Sequence, residues 1–165
     1  MKNLLSVLLL FLAMSSFSQN SSPYDNILLT TAIDHRKAEP QVSLAADYVY
    51  STPIEKDNLN RKNALSFITK WMGGTSDFSF VVDQTIMKIA NNDSNLVGVY
   101  AACLAKYALE KGKGVDRDEL RFNSFLLFAK YCENPNNNYK PRGEIKKLID
   151  AKNQNKLQEY LDSKK

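Results

Sequence analysis

"DRDELRFNSFLLFAKYCENPNNNYKP", residues 116–141, is the stretch on which the fold of this chain turns. Asp116 with Glu119 three residues on has the spacing of a helix capping box, with Asp in place of the usual Ser or Thr. Acidic residues there also suit the positive end of the helix dipole. Leu120, Leu127, Phe128 and Tyr131 mark one face, and Phe122, Phe125, Leu126, Ala129 and Cys132 mark most of another. A helix apolar nearly all round is a central one, so this segment is expected to form the middle of the core. Asn134 and Pro135 close it near Glu133, because proline stops a helix and asparagine suits a turn.

Working outward, the same helical periodicity recurs. In "SNLVGVYAACLAKYALEKGKG", residues 94–114, Val97, Ala101, Leu104 and Ala108 share a face, small residues at Gly98, Ala102 and Ala105 admit a close neighbour, and Gly112 and Gly114 end the run. "KDNLNRKNALSFITKWMGG", residues 56–74, places Ala64, Leu65, Ile68, Trp71 and Met72 at intervals of three and four, with Asp57 or Asn58 as N-cap and Gly73 and Gly74 as the stop. Trp71 at that spacing is expected in the core. Residues 42–49 carry Val42, Ala45, Ala46 and Val49 at helical spacing between Pro40 and Pro53. Towards the C-terminus, Ile145, Leu148 and Ile149, then Leu157, Tyr160 and Leu161, mark two short amphipathic pieces with a break around residues 153–155.

Residues 75–93 fit two periods. Phe78, Phe80 and Val82 alternate as in a strand, whereas Val82, Ile86 and Ile89 repeat as in a helix, and the longer helical register favours a helix capped by Thr75 or Ser76. The expected fold is therefore all-α: a single domain of about six helices, arranged as a bundle or a short stack of helical hairpins. Ala105-Lys106-Tyr107 recurs as Ala129-Lys130-Tyr131, but the self-similarity of about 34 residues that defines a tetratricopeptide array is not visible, so the likeness goes no further than architecture.

The N-terminus reads as an export signal. Lys2 precedes an apolar run at residues 4–14 and a small polar stretch through Ser15, Ser16 and Ser18 to Gln19. That run is about half the roughly 20 residues a membrane span needs. Residues 1–19 are thus expected to be a cleaved signal peptide, residues 20–40 a partly ordered leader closed by Pro40, and residues 41–165 the helical domain. No membrane span is expected after cleavage. The charged fraction of 24% and hydrophobic fraction of 44% suit a globular domain. From residue 139 onward eight basic residues face four acidic ones. Interleaved charge of that size reads as a solvated helix face, and export argues against nucleic acid.

The strings "YVYSTPIEKDNLNRKNALSFITKWMGGTSDFSF", "YAACLAKYALE" and "YCENPNNNYKPRGEIKKLIDAKNQNKLQEYL" resemble a group of small exported all-helical proteins of Gram-negative bacteria, of unassigned function. Thr52-Pro53, Lys70-Trp71-Met72 and Tyr131-Cys132-Glu133-Asn134-Pro135 carry the likeness most distinctively. The resemblance implies export and a helical fold and transfers no catalytic residue. Gly73-Gly74 departs from it, at a place where a larger polar residue would also be at home.

Candidate chemistry is sparse. His35 is the one histidine, so a histidine-rich metal site is excluded; it is expected in a solvent-facing loop. "EKGKGVD" lacks the spacing of a phosphate loop, and "DRDE" lacks the alternating ligands and glycine of an EF-hand. If the turn at Gly112 and Gly114 makes an antiparallel hairpin, Cys103 lies level with Ser124. It is then about 12 Å along the helix from Cys132, beyond the roughly 7 Å Cα separation a disulfide spans. Both cysteines are expected as buried free thiols. No catalytic residue, metal ligand or cofactor is assigned. Export, the helical hairpins and the lack of convergent catalytic residue types point to a non-catalytic interaction or scaffold module of the cell envelope, with another envelope protein or peptide as partner. The alternative is a small exported hydrolase or ligand-binding enzyme using carboxylates such as Asp47, Glu55 or Asp83.

Overall fold

The computed structural model describes residues 22–164. The predicted signal peptide lies outside them. Seven α-helices and one 3₁₀ turn make up the described chain: α1 (Ala32–Ser51), α2 (Leu59–Gly74), α3 (Gln84–Ile89), α4 (Ser94–Lys111), α5 (Arg117–Glu133), the 3₁₀ turn Pro135–Asn137, α6 (Gly143–Asn153) and α7 (Leu157–Asp162). The all-α expectation holds. Sequential helices pack as hairpins, α1 on α2, α4 on α5 and α6 on α7, and each hairpin leans on the next.

The pivot is α4, not α5. Helix α4 touches α1, α2, α3 and α5. Its alanines Ala102 and Ala105 belong to the apolar cluster of α1 and α2, while its Val99, Tyr100, Cys103 and Leu104 belong to the cluster built with α3, α5, α6 and α7. Small side chains on one face and large ones on the other let a single helix serve two cores. Leu65 lies so close to Gly98 that a methyl group there would sit 3.1 Å from its Cδ1. Helix α5 bridges α4 and α6 and buries Leu120, Phe125, Phe128, Tyr131 and Cys132, whereas Phe122, Leu126 and Leu127 are only half-buried.

Helix α1 begins before Pro40, and the leader predicted for residues 20–40 is in part this helix. Thr31 and Asp34 form the reciprocal capping box: the Thr31 hydroxyl accepts from Asp34 N at 3.2 Å, and the Asp34 carboxylate accepts from Thr31 N at 2.9 Å. Pro40 sits inside the helix on its exposed side, where water can take the carbonyl that loses its N–H partner. The box expected at Asp116 is half made. Asp116 accepts from Asp118 N and Glu119 N, but the Glu119 carboxylate turns away to the Tyr107 hydroxyl at 2.8 Å.

Residues 75–83 are not helical. Phe78 and Phe80 both lean on Trp71, with ring centroids 5.7 and 5.6 Å away. In a helix, residues two apart diverge by about 200°, so both could not reach one indole. The helix waits for Asp83, whose carboxylate caps α3 by accepting from Thr85 N and Ile86 N.

Two buried polar side chains tie helices together, Arg61 between hairpins and His35 within the first. Arg61, at the start of α2, donates through Nη1 to the carbonyls of Val49 and Thr52 and to the Thr52 hydroxyl, and through Nη2 to the Tyr131 hydroxyl. His35 is buried in α1, not in a loop. Its Nδ1 lies 2.9 Å from the Thr31 carbonyl, and its own carbonyl accepts from Trp71 Nε1 at 2.9 Å. The ring lies against Gly74 so closely that an added methyl would stand 2.6 Å from Cε1; Gly73 has open space. A larger residue is therefore at home at Gly73 and not at Gly74.

Candidate interaction site

Two adjoining hollows open where the α3–α4 turn meets the loop before α6. One, of about 380 Å³, is bordered by Lys88, Asp93, Tyr139, Arg142 and Glu144; the other, of about 590 Å³, shares Asp93, Tyr139 and Arg142 and adds Ile54 and Lys140. Asparagine makes both walls. Asn91 and Asn92 take positive φ of 51° and 57°, turning the chain sharply between α3 and α4. Across the groove Asn138 does the same with φ 52° after the 3₁₀ turn. The buried Asn137 anchors that loop by donating from Nδ2 to the Tyr131 carbonyl at 2.8 Å and accepting at its own carbonyl from Ile54 N at 3.1 Å.

The two acids of this groove are already engaged. Asp93 caps α4 by accepting from Asn95 N and Leu96 N. Glu144 lies 2.7 Å from Lys147 Nζ and 2.7 Å from Lys164 Nζ and accepts from the Tyr160 hydroxyl at 2.9 Å. Lys147 foremost, with Lys164 and Tyr160, holds its carboxyl down at about 2. The cations differ. Among the described residues no ion pair within 4.0 Å forms at Lys88, Lys140 or Arg142. The groove thus presents three uncommitted positive charges and two committed negative ones.

The carboxylates considered for catalysis are not brought together. Asp47 lies on α1 and pairs with Lys106 at 2.5 Å. Glu55 is exposed in the loop before α2, and Asp83 caps α3 beside Arg121 at 4.0 Å. Cys103 and Cys132 are free and buried. Burial pushes the Cys103 thiol well up and the Cys132 thiol to about 12. Such thiols pack and do not attack. Among the described residues no group of three or more His, Cys, Asp or Glu is arranged to hold a metal ion, and no helix is long and apolar enough to cross a membrane.

Sequence reading passed over Arg61 and the groove cations. Arg61 had a signal, since it continues the Ala64, Ile68, Trp71 stripe one turn towards the N-terminus. The cations had none, because Lys88 and Arg142 are brought to one groove only by the packing of α3 on α6. No protein-family profile, curated protein or solved structure matches the chain.

Proposed function

We propose that this protein is an exported, non-catalytic interaction module of the cell envelope whose groove engages an acidic segment of another envelope protein. One observation carries the reading: Lys88, Lys140 and Arg142 line the same groove without ion-pair partners among the described residues, while Asp93 and Glu144 are held by a helix N-terminus and by lysines. Uncommitted charge of one sign in a concave wall attracts and orients a ligand of the other sign. The enzyme alternative is less well supported at this site. A carboxylate held near 2 is too weak a base at neutral pH to take a proton and is never protonated there to give one. Export rests on Lys2, the apolar run at residues 4–14 and the small residues after it, and on the resemblance to exported helical proteins.

The test has two arms. A fluorescein-labelled oligoglutamate peptide is titrated by anisotropy against wild type and the Lys88→Glu/Arg142→Glu double variant. The expected result is binding that weakens with salt and is lost in the double variant. No binding by wild type, or equal binding by the variant, overturns the groove assignment. The export arm is the intact mass of the protein from its native host, expected to begin near Gln19 or Asn20. A species retaining Met1 in the membrane fraction overturns it.

A further inference from the structure

Residues 78–82 form a short segment outside any helix, turn or bend, leading into the extended Asp83. Phe78 and Phe80 face inward on Trp71 and are half-buried, with ring centroids 6.0 Å apart, while Ser79 and Val81 are exposed. Over residues 78–81 this is the two-residue alternation of a β-strand, and the exposed Val82 breaks it. Yet among the described residues none of the five backbone N–H groups donates a hydrogen bond, and none of the five carbonyls accepts one. The segment is backed by an aromatic face and, among the described residues, has no neighbouring strand. An unpaired strand is a template for another extended backbone, because only a main chain repeats donors and acceptors at the same spacing.

The surroundings favour an identical segment. Val81 and Val82, 37% and 45% exposed, are consecutive apolar side chains left in water. Beside them Ser79, Val81 and Asp83 wall a cleft of about 230 Å³ whose buried floor is Leu104 and Leu120 and whose rim holds Arg117, Asp118 and Arg121. Two arginines stand against two aspartates there, so this rim does not repel its own image. The Lys88, Lys140 and Arg142 groove would.

We propose that residues 78–82 pair, antiparallel about a two-fold axis, with the same residues of a second copy of this chain, making a homodimer joined by a two-stranded β-ribbon. Antiparallel pairing about Phe80 sets Val81 beside the partner copy's Ser79 and Val82 beside the partner copy's Phe78, so each exposed valine meets a residue of the partner and the axis repeats the contact on the other side. The aromatic backing supplies what a bare two-stranded ribbon lacks. This inference does not depend on the anion groove.

The experiment is sedimentation velocity over a concentration series, on the chain beginning at Asn20, which contains every described helix. Amide hydrogen exchange is read in parallel. Wild type should pass from monomer to dimer as concentration rises, with the alternate amides that face the partner, those of Ser79 and Val81, slowed in the dimer. Val81→Pro should be monomeric with unchanged helical circular dichroism, since its N–H has no partner to lose within the monomer. Val81→Lys, which keeps the N–H and brings two charges near the axis, should also lose the dimer and serves if the proline variant fails to fold. Arg142→Glu should still dimerise. Wild type that stays monomeric throughout overturns the proposal, as does a dimer that survives both Val81 variants. Protection of these amides only when envelope extract is added to a monomer would assign the edge to a foreign strand and equally overturn it.

Discussion

Nη2 of Arg61 donates to the hydroxyl of Tyr131 at 3.2 Å, closing a span of seventy residues with one hydrogen bond. The tyrosine O–H donates in turn to the Thr52 carbonyl at 2.8 Å, so one buried node joins the end of α1, the start of α2 and the end of α5. The guanidinium has carbonyls, not a carboxylate, as its counterweight. Its Nη1 bonds fall on Val49 and Thr52 at the C-terminal end of α1, where the helix dipole is negative.

Removing this node should be costly. Arg61→Ala leaves the buried Val49 carbonyl without this donor and removes one donor each from the Thr52 carbonyl, which keeps Tyr131, and from the Thr52 and Tyr131 hydroxyls; a buried polar group left unpaired costs about 1–3 kcal/mol. Loss of at least about 2 kcal/mol is expected in urea denaturation, with Tyr131→Phe losing about 1 kcal/mol. An Arg61→Ala chain as stable as wild type would remove the node from the list of things that hold the hairpins together.

The adjacent glycines should respond with opposite signs. Gly73→Ala meets nothing and should stabilise α2 by about 0.5–1 kcal/mol through helix propensity. Gly74→Ala gains the same propensity but drives a methyl into the buried His35 ring, an overpacking that costs about 1–3 kcal/mol and prevails. Adding His35→Ala should cancel most of the Gly74→Ala penalty, so a double-mutant cycle on melting curves checks the contact directly.

Phe128 is fully buried against α4, its ring 6.0 Å edge-on from Tyr100. Phe128→Ala should cost about 3–5 kcal/mol, out of a total that is typically about 5–15 kcal/mol. Cys132→Ala should cost less, having fewer atoms to lose. Burial keeps both thiols protonated at pH 8, so a thiol reagent should leave the native chain unlabelled and modify two cysteines once it is denatured under non-reducing conditions.

Acid stability should report Glu144 and Asp77. Lys147 and Lys164 hold Glu144 at about 2, and Arg36 and Lys113 hold Asp77 at about 2. A carboxyl whose pKa is lower folded than unfolded favours the folded chain above its unfolded value, roughly pH 4. That contribution is lost as pH falls towards 2. Urea midpoints measured from pH 6 to pH 2 should therefore decline, and Glu144→Gln should flatten the decline while lowering the plateau. A variant whose curve parallels wild type would show that the lysine cluster does not couple to folding.

Helices with long, regular apolar spacing were legible in the sequence. The residues forming α2, α4 and α5 stand out, as do the asparagine break before α7 and the interior place of Trp71. Legibility failed where two local signals competed. Pro40 reads as a stop, but Thr31 and Asp34 had already fixed an N-terminus upstream and the proline falls on the wet side of α1. Phe78 and Phe80 read as the start of a helix because the following register is helical, and it is a tertiary contact with Trp71 that keeps them extended. The groove was not legible at all, since Lys88 and Arg142 are separated by two long helices and meet only through packing.

The division of α4 between two cores bears on how the chain is made. A polypeptide emerges N-terminus first, so α1 and α2 are available long before Ala102 and Ala105, the residues that complete their apolar cluster. Until then the hairpin can close Trp71 onto the His35 carbonyl and Arg61 onto Val49 and Thr52, all contacts made within the first hairpin. Its remaining apolar side stays open. A nascent chain stalled before α4 would present that side to a holdase chaperone, and arrival of the alanine face would displace the chaperone and start the second core in the same event.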